Sequence, residues 1–263
     1  MKYNILRSYY KNKSKYIGSI QKKYKVSIFK NEKKILHLKN KYKNKRIFII
    51  GNGPSLNEMD LKPLSNEITI GCNGLFLKFS EMGFLPTFYT VEDNLVAEDR
   101  RDIINKLKGT TKILPYDLGY CLKPSQNTIF INFIRNYNVF PRFSFDCEHS
   151  VYWGGTVTYL NIQLAYYFGA TEIYLIGVDH SYNIPREESW VNSVIKSNSE
   201  DQNHFHPDYF GPGFRYHDPK IDRMEIAYKK AANILKKKGI KIMNAGVGGK
   251  LSVFDRVDYN NLF

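Results

Sequence analysis

The sequence is poor in cysteine and lacks long hydrophobic segments. Its 263 residues include three cysteines, Cys72, Cys121 and Cys147, which are widely spaced and form no CxxC pair. This pattern excludes a disulfide-stapled scaffold and a cysteine-based zinc site, and it is typical of proteins from a reducing cytosol. No stretch approaches the roughly 18 apolar residues that a membrane-spanning helix needs. The N-terminus lacks a continuous apolar segment, so we expect no cleaved secretory signal.

Acidic residues are nearly absent from the first 45 residues. This segment holds 15 Lys or Arg and one acid, Glu32, whereas residues 46–263 hold 24 basic and 24 acidic residues. The sequence therefore predicts a basic arm, residues 1–45, followed by a neutral domain. An arm of this kind gains on the order of 1 kcal/mol per Lys at an anionic leaflet, and its Tyr and Ile side chains suit a membrane interface. We expect a cytoplasmic protein that associates peripherally with the inner face of the membrane.

Two other interpretations of the basic arm stay open. Nucleic acid attracts positive charge through counterion release, but the domain shows no RNP, helix-turn-helix or zinc-finger signature. We therefore expect no nucleic-acid partner. A partly disordered, solubilising tail has the same composition.

The neutral domain alternates short apolar runs with helical patterns. Hydrophobic residues make up 43% of the chain and aromatic residues 15%, which excludes a disordered protein. Runs such as RIFII at 46–50 and EIYLIG at 172–177 are typical of buried parallel strands. A helix is predicted over 156–168, between two glycine-containing turns. Strands that alternate with helices predict an α/β fold with a mostly parallel sheet flanked by helices. The remaining predicted strands lie at 68–72, 87–91, 111–114, 128–132 and 239–243.

The turn after the first strand reads GNGPS, residues 51–55. Two glycines allow a ligand to approach the backbone, and the N-terminus of a following helix attracts phosphate. Ser55 and Glu58 have the spacing of a capping box. The motif is neither GxxxxGK[ST] nor GxGxxG, which excludes a P-loop. A strand-to-helix turn that merely needs small residues is the alternative.

Polar residues follow several other predicted strands. Ligands of parallel sheets bind beyond the carboxyl ends of the strands, so Asn73 and the pair Glu92–Asp93 are candidates for hydrogen bonds to a base or ribose. The pair could instead hold a divalent metal, although its spacing differs from a DxD motif. Gly155 and Thr156 precede the predicted helix and form a second helix N-terminus, which suggests an anionic ligand such as a nucleotide phosphate.

Asp179 and His180 follow the strand at 172–177, and a long insertion follows them. We predict that residues 181–216 form an active-site lid. His204, His206 and Asp208 within it could bind zinc or iron. The pattern favours two alternatives over a metal site: a loop whose histidines bond the backbone and cap turns, or a histidine that acts as general base or ligand clamp.

Four of these segments resemble the bacterial lipooligosaccharide sialyltransferases of the CMP-sialate type. They are RIFIIGNGPS at 46–55, GCNG at 71–74, GATEIYLIGVD at 169–179, and His217 followed by Asp222. The C-terminal segment 244–259 looks more like the related domain-of-unknown-function-115 or MptE-like group, and the match to this wider group is closer. That group includes flagellin nonulosonate-transfer factors and archaeal 6-hydroxymethylpterin diphosphokinases.

The resemblance implies a single Rossmann-like domain over residues 46–263 that binds a CMP-sugar and needs no metal for catalysis. In it, Asn52, Gly53 and Ser55 hold the phosphate side of the nucleotide, and Asn73 holds the cytidine or sugar side. Gly155 and Thr156 contact the donor, and Asp179 ends the family's G-[IV]-D strand. His217 matches the spacing of the general-base histidine.

The family's tyrosines that bond the leaving phosphate are not reproduced after Asp179. Tyr182, or Tyr216 in the lid, could replace them. The expected reaction is inverting transfer of a sialic-acid-like (nonulosonate) sugar to a surface glycan or glycolipid acceptor, by a possible homo-oligomer. One alternative is diphosphoryl transfer from ATP to a pterin with Mg²⁺ at Glu92, Asp93 and Asp179. A metal-dependent hydrolase or a noncatalytic binding protein is the other.

Overall fold

The structure is a computed structural model that describes residues 2–24, 33–183, 188–191 and 194–263. Within these residues the α-helices are α1 (Lys2–Tyr24), α2 (Lys33–Leu36), α3 (Phe79–Met82), α4 (Asn94–Asp99), α5 (Arg101–Lys106), α6 (Val157–Tyr167) and α7 (Ile221–Lys237). The strands are β1 (Arg46–Ile50), β2 (Ile68–Cys72), β3 (Phe88–Thr90), β4 (Thr111–Pro115), β5 (Thr128–Ile131), β6 (Phe133–Ile134), β7 (Val151–Tyr152), β8 (Glu172–Ile176), β9 (Ser189–Val191), β10 (Val194–Lys196), β11 (Arg215–His217), β12 (Lys241–Asn244) and β13 (Asp255–Arg256).

Eight strands form one parallel sheet flanked by helices. Their spatial order is β13-β12-β8-β1-β2-β3-β4-β5, and each hydrogen-bonded pair runs parallel. In β1 the four residues Ile47–Ile50 have no exposed surface, because helices and loops cover both faces of the sheet. The predicted α/β, Rossmann-like fold is confirmed, and each strand predicted from an apolar run lies in this sheet.

Helix α6 packs against the central strands and is surrounded by protein. Ten of its eleven residues are buried, including polar Asn161 and Gln163. The Thr156 hydroxyl caps the helix by accepting a hydrogen bond from the Thr158 amide at 3.3 Å. Because α6 begins at the same sheet edge where β1 and β8 end, its first turn faces the strand ends.

The N-terminal segment packs more closely on the domain than the expected boundary at residue 45 implies. Ile35 and Leu38 are buried in the main hydrophobic core. The backbone at Asn40 and Tyr42 donates to carbonyls at the end of α6, at 3.0 and 2.8 Å. These two apolar side chains and the two hydrogen bonds anchor the Lys-rich stretch, so residues 33–45 pack as part of the domain.

Helix α1 also contacts the domain. Its buried face includes Ser14, Ile17 and Gly18, and it lies against the 3-10 turn Tyr116–Leu118 and β6. No described helix combines the length and the apolar character needed to cross a membrane. Residues 25–32 of the arm lie outside the described residues.

The predicted lid contains a second, smaller sheet. Strands β9, β10 and β11 pair antiparallel, in the order β11-β10-β9. Between β10 and β11 the chain inserts Phe205 and Tyr209 into a hydrophobic cluster with Phe48 and Leu56. The lid is therefore partly built into the core, although its residues 184–187 and 192–193 lie outside the description.

Candidate active site

The strand order reverses between β1 and β8, and a cavity opens beyond the carboxyl ends of these two strands. Loops that leave adjacent strands in opposite directions form a crevice at such a switch point. The amides of Gly51 and Gly53 donate to the carbonyls of Ile176 and Gly177, both at 2.8 Å. A Cβ on Gly51 would lie 2.3 Å from the Gly177 carbonyl oxygen. The glycines are thus required by the close approach of two strand-end loops.

The cavity brings together twelve of the thirteen residues predicted to bind the nucleotide sugar or to catalyse its transfer. They line one continuous space and are Asn52, Gly53, Asn73, Glu92, Asp93, Gly155, Thr156, Asp179, His180, Tyr182, Tyr216 and His217. Ser55 is the exception, because it lies beneath the cavity surface and is 5% exposed.

Ser55 bonds Asp179 rather than facing the cavity. Its amide donates to Asp179 Oδ2 at 2.9 Å, and its hydroxyl donates to Asp179 Oδ1. The predicted capping box is wrong. Pro54–Glu58 is a 3-10 helix that begins after Gly53 and has no side-chain cap, because Pro54 takes the first position and Ser55 then falls inside the helix. The hydroxyl assigned to phosphate therefore fixes the turn.

Two asparagine amide oxygens in the cavity wall have no partner among the described residues. Asn52 donates from Nδ2 to the Cys72 sulfur at 3.3 Å, while its Oδ1 and that of Asn73 are buried and unpaired. An unsatisfied buried acceptor costs about 1–3 kcal/mol. A ligand that donates hydrogen bonds, such as an amino group or a sugar hydroxyl, would remove that cost.

His217, the last residue of β11, pairs with Asp93 across the cavity. The Nδ1 atom of His217 lies 2.7 Å from Asp93 Oδ2. The other oxygen of Asp93 caps α4 by accepting a hydrogen bond from the Leu95 amide at 2.7 Å. The hydrogen bond that His217 donates to Asp93 raises the pKa of His217, although burial opposes the shift. Burial works against ionisation of Asp93, but the bonds from His217 and the α4 backbone outweigh it and lower its pKa. The geometry is that of an oriented imidazole whose Nε2 remains for a substrate.

Glu92, next to Asp93, is a buried carboxyl beneath the same wall. Burial raises its pKa to about 7, although Arg135 opposes the shift. Arg135 lies 3.4 Å from Glu92 and 2.5 Å from Asp117, and the Trp153 side chain also opposes the rise in pKa. Sequence analysis missed Arg135, because nothing in its own segment marks it as a partner for two distant carboxylates.

The other histidines have different surroundings. His180 is buried, its Nε2 lies 3.5 Å from Glu225, and burial lowers its pKa. His204 stacks on Tyr209 at 3.8 Å and bonds Asp201 at 2.7 Å. Because His204 is engaged in this way, it does not converge with His206 and Asp208 on one metal position. Within the described part of the chain, the three-residue group with metal-binding geometry is Asp146, Glu148 and His149, outside the cavity.

Tyrosines close the cavity on the lid side. Tyr182 is 38% exposed at its rim, and Tyr216 stacks on Phe210 with ring centroids 5.0 Å apart. Burial raises the pKa of Tyr216 to about 12, so its hydroxyl stays protonated and can donate. Tyr228 of α7 was not predicted; it is buried and lines the cavity.

The lining of the cavity is rich in acidic residues. Among the described lining residues there is no Lys or Arg, whereas seven carboxylates face it: Glu92, Asp93, Asp179, Glu188, Glu200, Asp201 and Asp218. A bound phosphate would therefore meet backbone N–H groups at the start of α6, hydroxyls and histidines. A Mg²⁺ ion needs only one or two carboxylates besides phosphate oxygens, so the residues present could also hold a metal–phosphate complex.

Two arginines connect the lid with helix α4: one is Arg215 on β11, and the other is Arg100, the residue that follows α4. Arg215 on β11 forms ion pairs with Glu98, at 3.0 Å, and with Asp99. Arg100 donates to the backbone carbonyls of Asp208 and Tyr209. Since Asp93 caps the start of α4 and Asp99 ends it, the short strand Arg215–His217 is held at both ends of one helix. Neither arginine was predicted from the sequence.

Comparisons with known proteins agree with this architecture. The family model described as 6-hydroxymethylpterin diphosphokinase MptE-like matches residues 22–185. A solved structure of the MAf glycosyltransferase from Magnetospirillum magneticum AMB-1 is similar with a TM-score of 0.52 and 15% identity, over 86% of this chain and 35% of that chain. This chain thus spans about a third of that protein's length, and at this identity the likeness shows the fold alone. A comparison with curated proteins found no match.

Proposed function

The chain belongs to the 6-hydroxymethylpterin diphosphokinase MptE-like family, and from that premise we propose that it is an inverting glycosyltransferase. It transfers a sialic-acid-like sugar from a CMP-activated donor to a surface glycan or glycolipid acceptor. The observation that carries the proposal is the pair of His217 and Asp93, 2.7 Å apart in a cavity at the switch point of a parallel sheet. The fold shared with a glycosyltransferase supports it.

His217 is the general base of the proposed reaction. Its Nδ1 atom is engaged with Asp93, which leaves Nε2 to take the proton from the acceptor hydroxyl. The freed electron pair forms the new bond at the anomeric carbon while the bond to the CMP phosphate breaks on the opposite face, which inverts the configuration. Asp93 stabilises the imidazolium that results, in the manner of the aspartate in a catalytic triad.

The cavity offers matching groups for the donor. The unpaired oxygens of Asn52 and Asn73 can accept from the cytosine amino group or from hydroxyls. The backbone at Gly155 and Thr156, at the start of the eleven-residue α6, suits the phosphate. The leaving phosphate gains negative charge, and the protonated Tyr216 hydroxyl is a donor for it. Tyr182 at the rim is a second candidate for this role.

Pterin diphosphorylation is the second candidate function, and the acidic lining favours it. Transfer from ATP needs Mg²⁺ to neutralise the phosphates when no Lys or Arg faces them. Glu92, Asp93 and Asp179 are the carboxylates that could hold the ion beside the phosphates. In this reaction His217 would instead take the proton from the pterin's hydroxymethyl group.

The deciding experiment measures product release from two donors. Purified protein is incubated with CMP-sialic acid, with and without EDTA, and in parallel with ATP and hydroxymethyl-dihydropterin, and products are separated chromatographically. We expect CMP release that EDTA does not abolish. AMP formation without CMP release would favour diphosphokinase activity, and no release from either donor would contradict both functions.

We also propose that α1 holds the enzyme at an anionic membrane. Its buried face packs on the domain, whereas Ile5, Tyr9 and Tyr16 are 67%, 55% and 70% exposed and lie on another face. The Lys13 ammonium lies 5.5 Å from the centroid of the Tyr9 ring, beside this stripe, an arrangement that fits an interfacial helix.

Because α1 packs on the domain, point substitutions test the membrane proposal better than deletion. Tyr9→Ser with Tyr16→Ser should weaken sedimentation with vesicles containing phosphatidylserine several-fold. Phe145→Ser, at an exposed aromatic residue outside α1, serves as the control. Unchanged vesicle binding by the double variant would contradict the membrane role.

A further inference from the structure

A cluster of aromatic rings and two arginines lies beside the mouth of the cavity. We infer that this cluster, the arginine–aromatic shelf, binds an anionic group, a phosphate or a carboxylate, on the acceptor saccharide. The assignment to the acceptor rests on the proposed function. The shelf consists of Tyr137, Phe140, Arg142, Tyr152, Trp153 and Arg223.

The rings of the shelf form one connected group. Tyr137 contacts Phe140 with ring centroids 6.2 Å apart and Tyr152 at 5.4 Å. Phe140 contacts Trp153 at 6.1 Å. The Tyr137 hydroxyl donates to the Trp153 carbonyl, which ties the loop that carries Tyr137 and Phe140 to the segment before α6. The shelf is therefore a built surface rather than a set of unrelated side chains.

Both arginines of the shelf lie over its rings. The Arg223 guanidinium is 4.4 Å from the Phe140 ring centroid and 4.5 Å from that of Trp153. The Arg142 guanidinium is 5.7 Å from Tyr137 and 5.9 Å from Tyr152. Stacking holds a guanidinium in place without using its N–H donors. The N–H donors of both guanidiniums therefore remain available to a ligand.

The two guanidiniums differ in their partners from five other arginines that the structure describes. Arg46, Arg135 and Arg215 each pair with carboxylates, and Arg100 and Arg256 donate to backbone carbonyls. Across the described residues, neither guanidinium of the shelf has an ion pair or a hydrogen bond to protein. A planar guanidinium with free donors binds phosphate and carboxylate in a bidentate manner.

The shelf adjoins the catalytic wall. A Cβ on Gly155, which lines the cavity, would lie 3.8 Å from the Arg223 side chain. Trp153 lies two residues before Gly155 in the chain, and Gly155 shares the cavity lining with His217. A saccharide anchored on the shelf thus lies next to the wall that carries the base. An acceptor whose charge is held on the shelf, outside the cavity, can direct a hydroxyl toward that wall.

The test compares matched anionic and neutral sugars by saturation-transfer NMR titration at physiological salt. The probes are mannose 6-phosphate with mannose, and galacturonic acid with galactose, so that phosphate and carboxylate are distinguished. Inorganic phosphate alone shows how much the sugar contributes. We expect at least one anionic sugar to bind about tenfold tighter than its neutral partner.

Arg142→Gln with Arg223→Gln should reduce this preference to about twofold. The single variant Arg223→Gln, at an exposed residue, should weaken the preference for anionic sugars several-fold. It provides an independent test if the double variant misfolds. Lys236→Gln removes one charge from the far end of the same helix and should change nothing. Equal binding of charged and neutral sugars, or an undiminished preference in the double variant, would overturn the inference.

CMP affinity, measured on the same samples, separates this inference from the proposed function. The double variant should bind CMP as the wild type does. If the wild type prefers anionic sugars but binds no CMP, the donor assignment fails and the shelf stands. If it binds CMP but shows no preference among sugars, the shelf fails and the donor assignment stands.

Discussion

The floor and the lid of the cavity are held by different interactions. The floor consists of the strand-end residues 51–53, 72–73, 92–93 and 177–179, which backbone hydrogen bonds and close glycine contacts fix. The lid, residues 181–216, joins the domain through the apolar side chains Phe205 and Tyr209 and through the arginines Arg100 and Arg215. Steric contacts fix the conformation of the floor, whereas ion pairs and hydrogen bonds of surface arginines contribute much of the attachment of the lid.

This difference predicts different mobilities. A Cβ at Gly51 would meet the backbone carbonyl of Gly177, and a Cβ at Gly53 would meet the carboxylate of Asp179, which hydrogen bonds from Ser55 hold in place. Partly exposed ion pairs contribute only about 0–1 kcal/mol each, because water competes for the charges. We therefore expect the floor to be formed before substrate binds, and the part of the lid held by arginines to open more readily than the segment anchored in the core by Phe205 and Tyr209.

The two regions meet at His217 and Asp93, and the largest expected effect is there. His217→Ala should lower the rate of transfer about 100- to 10,000-fold at pH 7, the range that a general base contributes. Donor affinity should change little, because His217 acts on the acceptor. Steady-state rates with a separate measurement of CMP affinity check this.

The control for that variant is His206→Ala. His206 belongs to the lid and is partly exposed, but it does not line the cavity. Its removal should leave the rate near that of the wild type. A His217→Ala enzyme that works at close to the wild-type rate would show that another group is the base.

Asp93→Asn should lower transfer about 10- to 100-fold, part of the general-base contribution. Neutral His217 is the active form, and Asp93 raises its pKa. The wild-type rate should therefore rise with pH through a value above 6.5, the usual pKa of histidine. Without the carboxylate that pKa falls, so the acid limb of the kcat/KM profile should move to lower pH.

Glu92 titrates in the same range, since its pKa is about 7. Glu92→Gln separates the two groups. If the acid limb vanishes in Glu92→Gln and stays unmoved in Asp93→Asn, the limb belongs to Glu92 and the role given to Asp93 is wrong.

The floor was predictable from the sequence because its signals are local. A buried parallel strand is an almost unbroken apolar run, as in Arg46–Ile50, and the polar residues that follow it lie at the carboxyl edge by topology alone. This reasoning located Asn52, Asn73, Asp93 and Asp179 at the cavity.

The contacts across the cavity were not predictable in the same way. Asp93 and His217 are 124 residues apart, and no periodicity in either segment encodes their pairing. The family resemblance supplied His217 but not its partner. Arg135 and Arg215 bind carboxylates through loops whose paths depend on the assembled core. Ser55 was expected to face a ligand, yet the helix geometry set by Pro54 turns it toward Asp179.

Arg215→Gln tests the lid and should have a smaller effect. Loss of the pairs with Glu98 and Asp99 should raise amide hydrogen exchange in residues 197–214 about three- to tenfold, since local opening reflects the free energy of such contacts. Transfer should fall several-fold, and Arg215→Lys should recover part of it. Lys236→Gln is the matched control. Unchanged exchange in the lid would mean that Phe205 and Tyr209 hold it without the arginine.

Ser55→Ala should have the smallest effect on transfer and a clear effect on stability. The hydroxyl bonds the carboxylate of Asp179 beneath the cavity surface, and its loss should lower the free energy of unfolding by about 1–3 kcal/mol. CMP affinity should stay within about twofold, because the hydroxyl does not face the ligand space. Urea unfolding and CMP titration measure the two, with the exposed Ser252→Ala as control. Unchanged stability with a tenfold loss of CMP affinity would instead restore Ser55 to the phosphate-binding role that its motif predicts.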